Sequence, residues 1–200
     1  MNLLAIVSSQ KGNSTDTLVN EAIKGAKSVT SNCNVKKINL LEHDIKFCKN
    51  CLVCFKDKTK GPIAKCAIRD DMDKINQDIL NSDFLIFGTP VHMGFATGVM
   101  TTFMERICWV FAKPEKNYLF VKGCPLPRSD KKRKSIIIVT SGIISPIYRR
   151  FCDEATPFIK GVVKDSLNST TVGDLYAGNI WNRGVDYYRE KAVKLGKKLI

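Results

Sequence analysis

Leu3-Leu-Ala-Ile-Val-Ser-Ser-Gln-Lys-Gly-Asn-Ser-Thr-Asp-Thr-Leu18 passes from a short apolar run, through small polar residues, into a helical pattern. The run Leu3 to Val7 is continuous and ends in polar residues, which predicts a buried strand. From Leu18 onward, Ala22 and Ala26 fall on the same helical face. Strand, small-residue loop and helix are the parts of an anion cradle: loop N–H groups and hydroxyls converge where the helix dipole is positive. Gly12 allows close backbone approach, and Ser9, Asn13 and Ser14 carry side-chain donors. No Gly-Lys-Ser/Thr follows, so this is not a Walker A loop, and the three-glycine dinucleotide pattern is absent as well. A plain N-cap and turn is the competing reading of the same residues.

The composition narrows the class. Two hundred residues suffice for one sizeable α/β domain, expected over 1–200. Hydrophobic content of 44% and charged content of 26% are those of an ordinary globular chain. No apolar stretch is long enough to span a membrane, and no secretory leader is recognisable, so a cytoplasmic address is expected and a membrane partner is not. The formal net charge of +13 raises the question of polyanions. Basic residues are spread along the chain and cluster only at Lys131–Lys134 and Lys56–Lys60, without interleaved aromatics. A lysine-rich surface is the reading adopted, and no nucleic-acid partner is expected. Eight cysteines in such a chain point to metal or redox chemistry rather than disulfides. Cys33, Cys108, Cys124 and Cys152 are scattered and receive no role.

The pattern then alternates. A strand is expected at 34–41, followed by a long connection, 42–70, that holds four cysteines. Asp70-Asp71 suits a helix start, with Met72, Ile75 and Ile79 on its apolar face. Strand 83–88 leads into a small-residue loop, 89–98, and then a helix buried along Met100, Phe103, Met104, Ile107 and Phe111. Residues 113–134, basic and containing three prolines, read as an irregular connection, a flap or an oligomer contact. Strand 135–140 precedes a helix near Ser145-Pro146 that Pro157 should bend or end. Strand 170–176 and a last helix with Tyr188, Ala192, Leu195 and Leu199 inward complete the chain. Five strand–helix alternations predict a doubly wound parallel sheet with helices on both faces. Ligands in such sheets bind at the carboxyl ends of the strands. Loops 8–14, 89–98 and 140–146 should therefore meet in one crevice suited to a planar, phosphorylated ligand. His43 reads as a surface residue, and Glu105 and Arg106 as a solvated or salt-bridged helix face.

Several motifs carry a family resemblance. Ser9-Gln-Lys-Gly12-Asn13-Ser14 resembles the FMN-phosphate loop of the flavodoxin family. Gly88-Thr-Pro-Val-His-Met-Gly94, followed by Thr97-Gly-Val-Met and Phe103-Met-Glu-Arg106, resembles the NADPH-dependent FMN reductases, with His92 in place of the usual tyrosine. Cys48-x2-Cys51-x2-Cys54, then Cys66 and Asp70-Asp71, resembles the iron–sulfur flavoprotein branch, although the spacer 55–65 is longer than that branch's. The resemblance implies a flavodoxin-like sheet in the order 2-1-3-4-5, numbering the five expected strands along the chain. It also implies an FMN phosphate on Ser9, Lys11, Gly12, Asn13 and Ser14. The ring would lie on Pro90, Val91, His92, Met93 and Gly94, with Thr140, Ser141 and Gly142 at its other edge. A [4Fe–4S] cluster would sit on Cys48, Cys51, Cys54 and Cys66, a spacing that lets one loop wrap three corners of a cubane. Free cysteines beside the flavin are the competing reading, while zinc and a thioredoxin-like dithiol fit the spacing less well.

The function expected is an FMN-dependent oxidoreductase that takes hydride from NAD(P)H and passes electrons to an acceptor. The alternative is a non-enzymatic electron carrier exchanging electrons with a partner such as ferredoxin. A homodimer or homotetramer is implied by the same resemblance, and no side chain stands out as an essential catalytic group.

Overall fold

The computed structural model describes residues 1–30 and 32–200. Five strands, β1 (Asn2–Val7), β2 (Asn34–Asn39), β3 (Phe84–His92), β7 (Arg133–Thr140) and β8 (Ser169–Ala177), form a parallel sheet in the order β2-β1-β3-β7-β8. This is the expected order 2-1-3-4-5. Side chains alternate across the pleat, so each central strand feeds two cores. Leu3, Ala5 and Val7 face α1 (Ser14–Val29) and α7 (Asp186–Leu199). Leu4, Ile6, Leu85, Phe87, Ile137 and Val139 face α2 (Met72–Asn81), α3 (Gly98–Phe111) and α5 (Ala155–Leu167). Near-continuous apolar strands are what burial on both faces requires.

Helices α1 and α7 cross at small residues. A Cβ on Gly196 would lie 1.9 Å from the Ala22 carbonyl oxygen, and one on Gly25 2.1 Å from that of Val193. The expected inner faces are buried, including Leu18, Ala22 and Ala26, and Met100 through Phe111 at helical spacing, while Leu195 is only partly covered.

The structure departs from expectation in the connections. Loop 89–98 is largely strand: β3 runs to His92 and pairs antiparallel with β4 (Phe95–Ala96). Met93 and Gly94 join them with φ of 51° and 87°. Two consecutive left-handed residues are the signature of a tight hairpin turn. Residues 113–134 are not irregular either. β5 (Ala112–Tyr118) and β6 (Val121–Pro127) form a separate antiparallel hairpin. A two-stranded ribbon is all edge, and its register shifts near Lys116 absorb the irregularity, so its prolines are tolerated.

Pro157 neither bends nor ends a helix. A short α4 (Arg149–Cys152) stops first, and Pro157 lies in the first turn of α5, where its missing N–H costs no helical bond. His43 is not simply surface, because Nδ1 lies 3.2 Å from an Asp71 carboxylate oxygen. The Asp71 side chain therefore does not cap α2; Asp70 instead accepts from the Met72 N–H at 3.1 Å. Arg106 is buried and paired with Asp70, while Glu105 stays exposed. The salt-bridged reading of Arg106 matches this pair, but its burial was not expected, because the partner lies far away in the sequence. Among the described residues no helix is long and apolar enough to cross a membrane.

Candidate cofactor crevice and cysteine segment

The carboxyl ends of β1, β3 and β7 open into one crevice of about 950 Å³. Parallel pairing fixes the three loops side by side. The Ser8 N–H donates to the Gly88 carbonyl at 2.9 Å, and the Thr15 and Thr140 hydroxyls meet at 2.6 Å. The Asn39 amide holds the Ser9 carbonyl at 3.0 Å. Gly88 is required by close approach, since a Cβ there would lie 2.5 Å from Val19 Cγ2. Gly12 is required by its φ of +80°, for nothing lies within 4 Å of its would-be Cβ.

Of the thirteen residues expected to hold a cofactor, Ser9, Gly12, Asn13, Ser14, Pro90, Val91, His92, Met93, Gly94, Thr140, Ser141 and Gly142 line this crevice. Lys11 does not. Its ammonium lies 3.0 Å from Glu42 on the exposed side of the loop. Ile143 and Ile144 belong to the expected loop 140–146, whereas sequence reasoning missed Thr15, Phe151, Cys152, Ile180 and Trp181. Thr15 follows the motif directly, but the others come from segments whose approach only the sheet order decides.

Asn13 is the N-cap of α1 and makes no side-chain cap bond among the described residues. That argues against the plain N-cap reading and leaves first-turn N–H groups available to an anion. The Gly12 N–H is already taken, donating to Asp16 at 3.1 Å, and Asp16 is neutralised by Lys37. Met93, 96% exposed at positive φ, carries backbone strain of the kind held at ligand clamps. The turn is braced from outside by the Glu154 N–H, 2.9 Å from the Gly94 carbonyl. Ser141 is fixed by its N–H to the Ala177 carbonyl (2.9 Å), and its carbonyl accepts from the Ile180 N–H (3.1 Å). Among the described residues the crevice has no Asp, Glu, Lys or Arg in its lining, so a bound phosphate would be held by neutral dipoles. These residues fit FMN: an open helix N-terminus with hydroxyls at one end, and a flat, largely apolar wall at the other.

The four cysteines of the long connection lie elsewhere, against the second half of α3. The Ala64 N–H donates to the Val110 carbonyl at 2.7 Å, and Phe55 packs edge-on against Trp109, ring centres 4.8 Å apart. At 1.5 Å per residue, Val110 is about 18 Å along the helix axis from Gly98, the first residue of α3. Arg106, 2% exposed, gathers the segment. Its guanidinium donates to the Lys46 carbonyl (2.7 Å), to both Asp70 oxygens (2.5 and 3.0 Å) and toward Cys66 Sγ (3.7 Å). Burial pushes the Asp70 carboxyl up, but the Arg106 guanidinium and the N–H groups of Lys46 and Met72 outweigh it and hold the carboxyl below its usual value. Arg128 donates to the carbonyls of Thr59, Cys54 and Asp57.

Cys48 and Cys51 stand exposed, and Cys54 and Cys66 are half-buried. Burial pushes the Cys54 thiol up, and Cys66 and Cys48 add to it. Among the described residues no three Cys, His, Asp or Glu side chains are grouped to hold a metal ion. In this arrangement the four cysteines do not fit a cubane, and no chemistry is derived through one.

The strand order and the crevice at its switch point define a flavodoxin-like α/β protein. The chain belongs to the NADPH-dependent FMN reductase family, whose sequence model matches residues 1–121. It is 31% identical over 116 residues to an iron–sulfur flavoprotein of Methanocaldococcus jannaschii, a match covering 58% of this chain and 55% of that protein. An Archaeoglobus fulgidus iron–sulfur flavoprotein is 28% identical over 106 residues, covering 53% and 48%. The chain thus spans about half the length of the curated relatives it matches. Among solved structures, an azoreductase from Bacillus anthracis superposes with a TM-score of 0.71 at 14% identity, covering 99% of each chain. An NAD(P)H:quinone oxidoreductase from Methanothermobacter marburgensis gives 0.68 at 11% identity, covering 100% and 96%. At those identities the likeness is one of fold.

Proposed function

We propose that the protein is an FMN-dependent oxidoreductase that accepts hydride from NAD(P)H and passes the electrons to an acceptor. The observation that carries this is the single crevice in which the loops after three adjacent parallel strands meet. Family membership supports the choice of FMN and nicotinamide. When bound, FMN supplies reversible hydride and electron chemistry that no side chain here can provide. The chain's own part is to bind and orient. Ser9, Asn13, Ser14 and the first-turn N–H groups of α1 would take the phosphate, and Lys11 would join them only by leaving Glu42. Pro90 to Gly94 would support one edge of the ring and Thr140 to Gly142 the other. Their backbone dipoles are fixed before the ligand arrives, so little reorganisation is needed as charge develops on the ring.

The Cys48-x2-Cys51-x2-Cys54 spacing and the names of the archaeal relatives support an iron–sulfur cluster on this segment, with Cys66 as fourth ligand, on condition that the segment closes to bring together thiols that are not grouped in the arrangement described above. Iron and sulfide analysis of anaerobically purified protein tests this, and unchanged iron in Cys66→Ser would remove that residue from the set. The reading also takes residues 1–200 as one FMN-binding domain that acts as a homo-oligomer in the cytoplasm. For the main proposal, protein incubated with FMN and desalted should stay yellow and bleach with NAD(P)H. Colourless protein would defeat it.

A further inference from the structure

Several large apolar side chains left in water border the crevice already described. Met93, Ile143, Phe151 and Trp181, the last on α6 (Ile180–Arg183) and pressed against Gly142, all line it. Another group belongs to no site described so far. At the tip of the β5–β6 hairpin, Leu119 is 96% and Phe120 97% exposed, between Tyr118 and Val121, each more than half exposed.

Local chemistry does not account for this pair. Tyr118 and Val121 are partners across the ribbon, so Leu119 and Phe120 form a two-residue turn, where glycine, asparagine and aspartate are preferred. Leu119 holds φ at +40°, a conformation that the Cβ of a leucine opposes. Neither side chain packs against either core. An apolar pair kept in water on an unfavourable backbone points to a surface outside this chain.

Charge around the tip narrows what that surface is. The Lys116 ammonium lies over the Tyr118 ring, 4.7 Å from its centre, and Lys122 stands exposed next to Val121. The ribbon's one acid, Glu115, is paired with Lys113 at 2.5 Å. At the foot of the hairpin, Arg128 donates to the carbonyls of Asp57 (2.7 Å) and Thr59 (3.1 Å). It thereby holds the exposed Lys56, Lys58 and Lys60 beside it, with only Asp57 among them. Lysine is depleted at the cores of protein–protein interfaces, so an apolar tip collared by lysines suits them poorly. Strand addition by a second copy is opposed as well, because both strands carry proline and lysine: Pro114 on β5, Pro125 and Pro127 on β6. The same pattern suits an anionic bilayer. Apolar side chains enter the acyl margin while lysine stems reach back to the headgroups. The chain's net charge of +13 acts in the same direction.

We infer that the β5–β6 hairpin docks this protein on the surface of a bilayer containing anionic phospholipid, with Leu119 and Phe120 inserted and Lys116 and Lys122 on the headgroups. The contact is peripheral and requires no spanning segment. It does not depend on the FMN reading.

The test is co-sedimentation of the full-length chain with vesicles of phosphatidylcholine, alone or mixed with phosphatidylglycerol. The protein should pellet with the mixed vesicles only, and less as salt is raised. Leu119→Gly suits the positive φ, so it should leave Tm unchanged or higher while weakening binding. With Phe120→Ser added, the loss should reach roughly tenfold or more. Lys116→Gln combined with Lys122→Gln should also lose roughly tenfold at low salt, and little at high salt. Emission from Phe120→Trp, taken as the difference from wild type, should move to the blue on mixed vesicles and stay in place with phosphatidylcholine alone. Absence of pelleting with mixed vesicles would overturn the inference. So would pelleting retained by the Leu119→Gly, Phe120→Ser double variant, which is adsorption by net charge alone. A change of oligomeric mass in the tip variants, read by light scattering, would overturn it too, by making the tip an interface between copies.

Discussion

The crevice and the cysteine segment are both irregular stretches, yet they are held in opposite ways. The crevice loops are extensions of the sheet: each leaves a parallel strand whose register is already fixed, and short backbone bonds such as Ser8 to Gly88 tie one loop to the next. The cysteine segment has no strand beneath it. It is held to α3 by Arg106, Phe55 and a single backbone bond from Ala64, and to the end of β6 by Arg128. A site built on strand ends is formed before its ligand arrives, whereas one hung from a few side chains can shift when a ligand or a mutation changes their balance. The two regions differ in the same way toward a ligand. The crevice presents converging donors for FMN, and the cysteines do not converge on a metal among the described residues.

The contrast can be broken most sharply at its buried ion pair. Asp70→Ala or Arg106→Met should cost about 3–5 kcal/mol in denaturant unfolding, since each leaves an uncompensated buried charge. The double replacement with apolar residues should cost less. If either single change abolishes FMN retention in protein that is still folded, the two regions are not independent. On the crevice side, Gly12→Ala forces a side chain into the left-handed region, at about 1–2 kcal/mol, and should lower FMN affinity roughly tenfold. Fluorescence titration of FMN measures this, and alkylation rates at Cys54 should not change.

Arg128→Ala removes four carbonyl contacts, three of them to the cysteine segment, and roughly 1–2 kcal/mol should be lost, most of it locally. Faster alkylation of Cys54 with unaltered FMN binding would match that expectation. The smallest effect is in pH. The N–H groups of Lys65 and Thr59, with the Thr59 hydroxyl, hold the Asp57 carboxyl down at about 2. A depressed carboxylate stabilises fully above its unfolded value, near 3.9, and the contribution is lost as pH falls through the folded value. Trp109 fluorescence should therefore report loosening of the segment between about pH 4 and pH 2. Asp57→Asn should flatten that change.

Much of the fold was legible because buried strands and helix faces repeat with fixed periods. The apolar runs at Leu3–Val7, Leu85–Phe87 and Ile136–Val139, and the spacing Met100–Phe103–Met104–Ile107, need no partner to be read. The phosphate-loop and ring-loop motifs were legible for a related reason. A tight turn at a strand end needs particular residues locally, such as Gly12 at positive φ. Arg106, Trp181 and Phe151 were not legible, because their roles depend on residues far away in sequence.

The sequence by itself determined the alternation of strands and helices, the two glycine-bearing turns and the presence of a closely spaced cysteine run. These follow from local sterics and from the side-chain periods of strand and helix, which act within a few residues. Only the tertiary structure decided that Asp70 would find Arg106, that Trp181 would lean on Gly142, and that the 113–134 stretch would fold back as a hairpin. Those outcomes turn on which strand ends become neighbours and what is buried between them, and burial is a property of the assembled layers rather than of any one stretch.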